Sequence, residues 1–152
     1  MKKKKDIKVL LVDDEVDFVN TLAQRLRMRE LLVDTVYDGH QALSFIKKTE
    51  PDVIVLDLKM PGLHGIEVLR EIKKMSPHIQ VIILTGHGTE KDDEEARKLG
   101  GFDFLRKPAD IDLLVAKIKE AFWEKVERAM TAVAFAEEGD IEDARRIIKK
   151  EE

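Results

Sequence analysis

The sequence predicts an α/β fold, a doubly wound parallel sheet with helices on both faces. Two observations and one rule of chain topology carry that prediction. Short apolar runs rich in β-branched residues alternate five times with stretches of helical periodicity, the pattern of successive βαβ units. Two of the runs, Val53-Ile54-Val55-Leu56 and Val81-Ile82-Ile83-Leu84, contain no polar residue, which suits strands buried on both faces. Right-handed crossovers then wind helices onto either side of the sheet.

The elements follow in order. Ile7 to Val12 reads as a first strand, followed by Asp13-Asp14-Glu15 and then Val16, Val19, Leu22, Ala23 and Leu26 at helical spacing. Leu31 to Val36 is a second strand, Asp38-Gly39 a turn, and Ala42, Leu43 and Ile46 one face of a second helix. Pro51 breaks that helix and admits the central strand, which stops at Asp57; Pro61, Gly62 and Gly65 mark a turn. Ile66, Leu69, Ile72 and Met75 form a third helical stripe, closed by Pro77. The fourth strand runs into Thr85-Gly86-His87-Gly88, and a fourth helix from about Glu90 to Leu99 stops at Gly100-Gly101. Its Lys91-Asp92-Asp93-Glu94-Glu95 segment leaves only Ala96 and Leu99 as anchors. Phe102, Phe104 and Leu105 make a short fifth strand, and Asp110 caps a fifth helix carrying Ile111, Leu114, Val115, Ile118 and Phe122.

This domain occupies residues 1–123, and a helical extension occupies residues 124–152. Periodicity continues through Val126, Met130 and Val133 to about Glu138. Gly139 can end that helix and Asp140 can cap another, with Ile141, Ala144, Ile147 and Ile148 on one side, so the extension reads as a helical hairpin.

Bulk composition excludes several function classes. With 152 residues, 38% of them charged, and a net charge of -4, the chain lacks the basic balance of a nucleic-acid-binding body. The absence of cysteine rules out a disulfide framework, a thiol nucleophile and a thiolate metal site, and suits a reducing cytoplasm. Met1-Lys2-Lys3-Lys4-Lys5 begins like a signal peptide, but Ile7 to Val12 is too short and is interrupted by Lys8. No stretch approaches the roughly 18 apolar residues of a membrane span. The expectation is a cytoplasmic protein with no membrane and no direct nucleic-acid partner.

Parallel strands bring their carboxyl ends to one edge of the sheet, where ligands of open α/β folds bind. The first strand delivers Asp13-Asp14, the third Asp57, the fourth Thr85 and the fifth Lys107. Three carboxylates crowded together repel one another unless a cation neutralises them, and oxygen-only ligands of this kind suit Mg²⁺. Lys107 offers a point charge, and Thr85 a hydroxyl, to phosphate oxygens. Pro108 lowers the cost of a cis peptide after Lys107. Taken singly, each residue has a plainer reading: Asp57 and Asp13-Asp14 as helix caps, Thr85 as a strand-end threonine, Lys107 as a surface lysine.

Taken together, LLVDDE, VIVLDLKMPGLHGIEVL, VIILTGHG and FDFLRKP resemble the receiver domain of two-component response regulators, of the single-domain, chemotaxis-regulator-like kind, over about Asp6 to Trp123. The resemblance implies a flavodoxin-like sheet of strand order 2-1-3-4-5 and makes Asp57 the phosphoacceptor. It implies Mg²⁺ held by Asp57, by Asp14 directly, by Asp13 through water and by the backbone carbonyl of Lys59. Thr85 and Lys107 would bind the phosphoryl oxygens, and Thr85 and Phe104 would form a switch, with Phe104 where many relatives carry tyrosine. The side chains of Lys59 and His87 would tune the phosphate's lifetime. By itself His87 reads as an exposed loop residue, since no second histidine lies at ligand spacing.

The implied partners are a histidine kinase or phosphotransfer protein and a downstream protein target, reached through the fourth helix, fifth strand and fifth helix. A homodimer through those helices or through the extension is a further expectation. The polar fourth helix favours pairing by charge. Two other readings use the same residues. A Mg²⁺-dependent phosphohydrolase with an aspartyl-phosphate intermediate would carry a second acid two residues after its nucleophile, where this chain has Lys59. The other is a pseudo-receiver used as a structural adaptor, against which the full set of acids, threonine and lysine argues.

Overall fold

Five strands and five helices alternate along the chain in the computed structural model, which describes residues 6–86 and 89–137. They are β1 (Lys8–Val12), α1 (Val16–Arg27), β2 (Leu32–Val36), α2 (Gly39–Lys48), β3 (Val53–Leu56), α3 (Gly65–Met75), β4 (Gln80–Thr85), α4 (Glu90–Lys98), β5 (Asp103–Arg106) and α5 (Ile111–Glu137). The strands form one parallel sheet in the order β2-β1-β3-β4-β5, as the resemblance implied.

Successive side chains of a strand point to opposite faces. Val9, Leu11, Val53, Val55, Ile82 and Leu84 therefore share one face and pack under α1 and α5. Leu10, Val12, Ile54, Leu56, Val81 and Ile83 share the other and pack under α2, α3 and α4. Both faces of β3 and β4 are covered, which is why those runs hold no polar residue.

The register levels the functional strand ends. Val12 pairs with Leu56 and Leu56 with Ile83, so Asp13 and Asp57 each stand one residue past a matched pair at the same edge. The Asp57 amide donates to the Val12 carbonyl at 3.0 Å. Gly65 holds the next segment in place: a Cβ there would lie 2.4 Å from Leu58 Cα and 2.7 Å from the Asp57 carbonyl oxygen. Only a glycine lets the start of α3 approach that loop so closely.

Some local details differ from the sequence reading. Asp38 is the N-cap of α2, accepting from the Gln41 amide at 2.8 Å, so the expected Asp38-Gly39 turn is the first turn of that helix. Phe102 precedes β5 rather than lying in it. Asp110 caps α5 as expected, accepting from the Leu113 amide at 3.2 Å. In α4 the one buried residue is Ala96, and the helix start is fixed by a Thr89–Asp92 capping box.

Helix α5 runs without a break through Trp123 to Glu137, a length of about 40 Å at 1.5 Å per residue. Two contacts fasten it to the amino-terminal edge of the sheet. Gln80 Nε2 donates to the Ala121 carbonyl at 3.1 Å, and Lys125 Nζ donates to Asp52 Oδ1 at 3.0 Å. Gly139, Asp140 and the expected last helix with Ile141, Ala144, Ile147 and Ile148 lie outside the described residues, as does Met1–Lys5. Among the described residues no helix is long and apolar enough to cross a membrane.

Candidate functional site

At the carboxyl edge of the sheet, Asp13, Asp14 and Asp57 each offer a carboxylate oxygen, and the three oxygens lie within 4.8 Å of one another. Asp13 and Asp57 are each only 4% exposed, while Asp14 is half-buried. Such hard oxygen donors in a partly desolvated cluster fit a divalent cation such as Mg²⁺, which takes carboxylate oxygens and retains waters. Each buried acid also has an ordering contact. Asp13 Oδ1 accepts from the Glu15 amide at 2.9 Å, and Asp57 Oδ1 accepts from the Lys59 amide at 3.2 Å.

Lys107 reaches into this cluster from the end of β5. Its amide donates to the Thr85 carbonyl at 3.2 Å, and the Lys107–Pro108 peptide is cis. Its ammonium lies 2.7 Å from Asp13 Oδ2, 3.2 Å from Glu15 Oε1 and 3.5 Å from Asp57 Oδ2. The face of the Phe18 ring stands 4.6 Å from the same nitrogen, a favourable place for a cation. Burial disfavours the lysine's charge, but the hydrogen bond to Asp13 and the surrounding carboxylates outweigh it and hold the ammonium above its ordinary range. Burial has the opposite outcome for Asp13. Together with the charge of Asp57 it lifts the carboxyl above its ordinary range, despite the bonds from Lys107 and the Glu15 amide.

The chain thus brings together Asp13, Asp14, Asp57 and Lys107 and joins Thr85 to Lys107 through the backbone. Thr85 is buried at the end of β4, 1% exposed. The Lys59 side chain is exposed beside the pocket. Phe104 pairs with Ile83 across β4 and β5, packs half-buried against the α2–α4 side of the core, and carries the Arg97 guanidinium 4.8 Å above its ring. His87 lies outside the described residues. Glu15 and Phe18, which hold the lysine, were not anticipated. Their signal in the sequence is faint: an acid directly after Asp13-Asp14, and an aromatic one turn into α1.

The family model described as the response regulator receiver domain matches residues 9–119. The chain belongs to that family. The receiver is 34% identical over 113 residues to sporulation initiation phosphotransferase F of Bacillus subtilis, covering 74% of this chain and 91% of that protein. It is 36% identical over 113 residues to the C4-dicarboxylate transport transcriptional regulatory protein DctD of Pseudomonas aeruginosa, covering 74% of this chain but 24% of the regulator. The match thus spans about a quarter of that relative's length. A solved response regulator receiver domain from Clostridium thermocellum superposes with a TM-score of 0.74 at 37% identity, covering 78% of this chain and 96% of that one. Receivers bind Mg²⁺, and as a family they imply a histidine kinase partner.

Proposed function

We propose that this receiver accepts a phosphoryl group from a histidine kinase or phosphotransfer protein onto Asp57 and signals through phosphorylation-dependent protein contacts. The observation that carries the reading is the convergence of three carboxylates and one lysine from strands distant in sequence on a single strand-edge pocket. A bound Mg²⁺ would supply positive charge to neutralise the acids and the incoming phosphoryl group, with Asp14, Asp57 and the Lys59 carbonyl as its ligands and Asp13 holding it through water.

Asp57 is one of the two buried acids of the group, with Oδ1 turned to the Lys59 amide, leaving Oδ2 on the Lys107 side as the attacking atom. In the transfer, that oxygen forms a bond to phosphorus as the phosphorus–nitrogen bond of phosphohistidine breaks, and the imidazole keeps the electron pair. Lys107, with the Thr85 hydroxyl, stabilises charge on the phosphoryl oxygens; the β4–β5 edge fixes the backbone of both residues. Thr85 then draws on Phe104 through the shared face of β4 and β5, altering the surface of α4, β5 and α5. That surface is laced with charge, including Arg106–Asp93 at 2.8 Å and Lys117–Asp103 at 3.0 Å, so partner docking there is by charge complementarity. The residue two positions after Asp57 is the exposed Lys59 rather than an acid, which favours a phosphoacceptor over a phosphohydrolase.

The test is incubation of the full chain with acetyl phosphate, read by intact mass. A Mg²⁺-dependent gain of one phosphoryl group, absent from Asp57→Asn and from Mg²⁺-depleted protein, is expected. Continuous release of inorganic phosphate without modification of the chain would overturn the reading in favour of an enzyme.

A further inference from the structure

Two of the Lys107 ammonium's donors are engaged before any phosphoryl group arrives. The ammonium carries three N–H donors, and they face a crowded set of acceptors. Asp13 takes the shortest contact, at 2.7 Å, and Glu15 accepts a second hydrogen bond at 3.2 Å, while Asp57 is the most distant of the three at 3.5 Å. The acceptors differ in kind. Asp13 and Asp57 are buried members of the carboxylate group suited to a cation. Glu15 lies outside that group, with its side chain 55% exposed.

Glu15 is also the N-cap residue of α1, yet its side chain makes no capping hydrogen bond. Ser, Thr, Asp and Asn are the residues that cap well, because a short side chain can turn back to the amides of the first turn. At this position the chain has a long carboxylate directed across the pocket to a lysine 92 residues away. A carboxylate at a helix N-terminus gains from the helix dipole, but that gain does not require the side chain to be directed at Lys107, as the Glu15 side chain is.

We infer that Glu15 is a positioning residue that holds Lys107 in place of a phosphoryl oxygen and gives up that contact when Asp57 is phosphorylated. The inference rests on the phosphoacceptor reading above and adds a regulator to it. In the resting receiver, Glu15 keeps the ammonium engaged at the rim and adds a negative charge where an anionic donor approaches. On phosphorylation the lysine turns to the phosphoryl oxygens, and the Glu15 carboxylate returns to water. Because Glu15 is largely solvated, that release is inexpensive, and the contact acts as a modest brake rather than a lock. Asp13 cannot play this part, since its carboxylate is buried.

The size of the brake follows from the solvated partner, Glu15, 55% exposed against 11% for Lys107: removing such a contact changes an equilibrium by about two- to fivefold. The experiment measures beryllofluoride affinity on the full chain at saturating Mg²⁺, for wild type, Glu15→Gln, Glu15→Ser and Asp57→Asn, with thermal melts of the same proteins. Beryllofluoride stands in for the phosphoryl group on Asp57. Both Glu15 variants are expected to bind it about two- to fivefold more tightly than wild type. Glu15→Ser, a better cap, should melt higher than Glu15→Gln, so a shared gain in affinity cannot arise from helix stability. The phosphoryl group from acetyl phosphate should persist longer on both variants by a similar factor. Unchanged or weaker beryllofluoride binding in both variants would overturn the inference, as would a gain that tracks the melting temperature. Failure of wild type itself to bind beryllofluoride, with no difference from Asp57→Asn, would instead defeat the phosphoacceptor reading beneath it.

Discussion

Removing the charge of Asp57 should stabilise the metal-free protein, although it abolishes the proposed phosphoacceptor. The carboxylate oxygens of Asp13, Asp14 and Asp57 lie within 4.8 Å of one another. At an effective dielectric constant of about 20, each repulsion involving Asp57 is worth about 3.5 kcal/mol at that separation. The attraction between Asp57 and Lys107 at 3.5 Å offsets about 5 kcal/mol of the two repulsions. A net strain of about 2 kcal/mol remains, and Asp57→Asn relieves it while keeping an acceptor for the Lys59 amide. Urea unfolding in a chelator should therefore show the variant's midpoint about 1 M higher, taking a slope of about 2 kcal/mol per M. Added Mg²⁺ should reverse the order. At a hundredfold excess over its dissociation constant it stabilises the wild type by about 2.7 kcal/mol, and it should stabilise the variant less. A metal-free Asp57→Asn protein that unfolds at or below the wild-type midpoint would refute the picture of a pocket frustrated without a cation.

The pocket's protonation gives further tests. Burial raises the Asp13 carboxyl, so between the ordinary aspartate range and that raised value the native state holds more protons than the unfolded one. Metal-free stability contributed by Asp13 is accordingly present at low pH and lost as pH rises through the raised value. Mg²⁺ affinity, measured by calorimetry, should run the other way, increasing through the same window with release of protons, and a pH-independent affinity there would contradict the assignment. Lys107 is also raised, so its contribution holds through neutral pH and disappears only on the alkaline side of the ordinary lysine range. Gly65→Ala should place a methyl group against Leu58 Cα and the Asp57 carbonyl. It should cost about 1–3 kcal/mol in urea unfolding and slow phosphorylation from acetyl phosphate, and a variant as stable and as reactive as wild type would show that the loop has room.

The main features of the fold were legible because the signal is local and strong. Val53–Leu56 and Val81–Leu84 are apolar on both faces, and a strand covered by helices on both sides is what such a run permits. The convergence of Asp13, Asp57 and Lys107 could be reasoned from parallel topology alone, since all three follow strands that end on one edge. The strand order could not; it came from resemblance. Hidden from the sequence were contacts set by side-chain direction between distant elements: Glu15 and Phe18 around Lys107, Arg97 over Phe104, and Asp52 bridging the Lys8 amide and Lys125. Each partner alone is a commonplace surface or core residue with no periodicity to mark it. The role of Asp38 is ambiguous in the sequence for a related reason, because an Asp-Gly pair serves equally as a turn and as a helix cap.

The central claim concerns the site of an acyl phosphate, and reductive trapping addresses it directly. The full chain is treated with Mg²⁺ and acetyl phosphate, reduced with borohydride and mapped by peptide mass spectrometry. The account predicts conversion of residue 57 from aspartate to homoserine, in that position alone and only when Mg²⁺ is present. Homoserine at position 13 or 14, or none at all in folded and Mg²⁺-saturated protein, would contradict it.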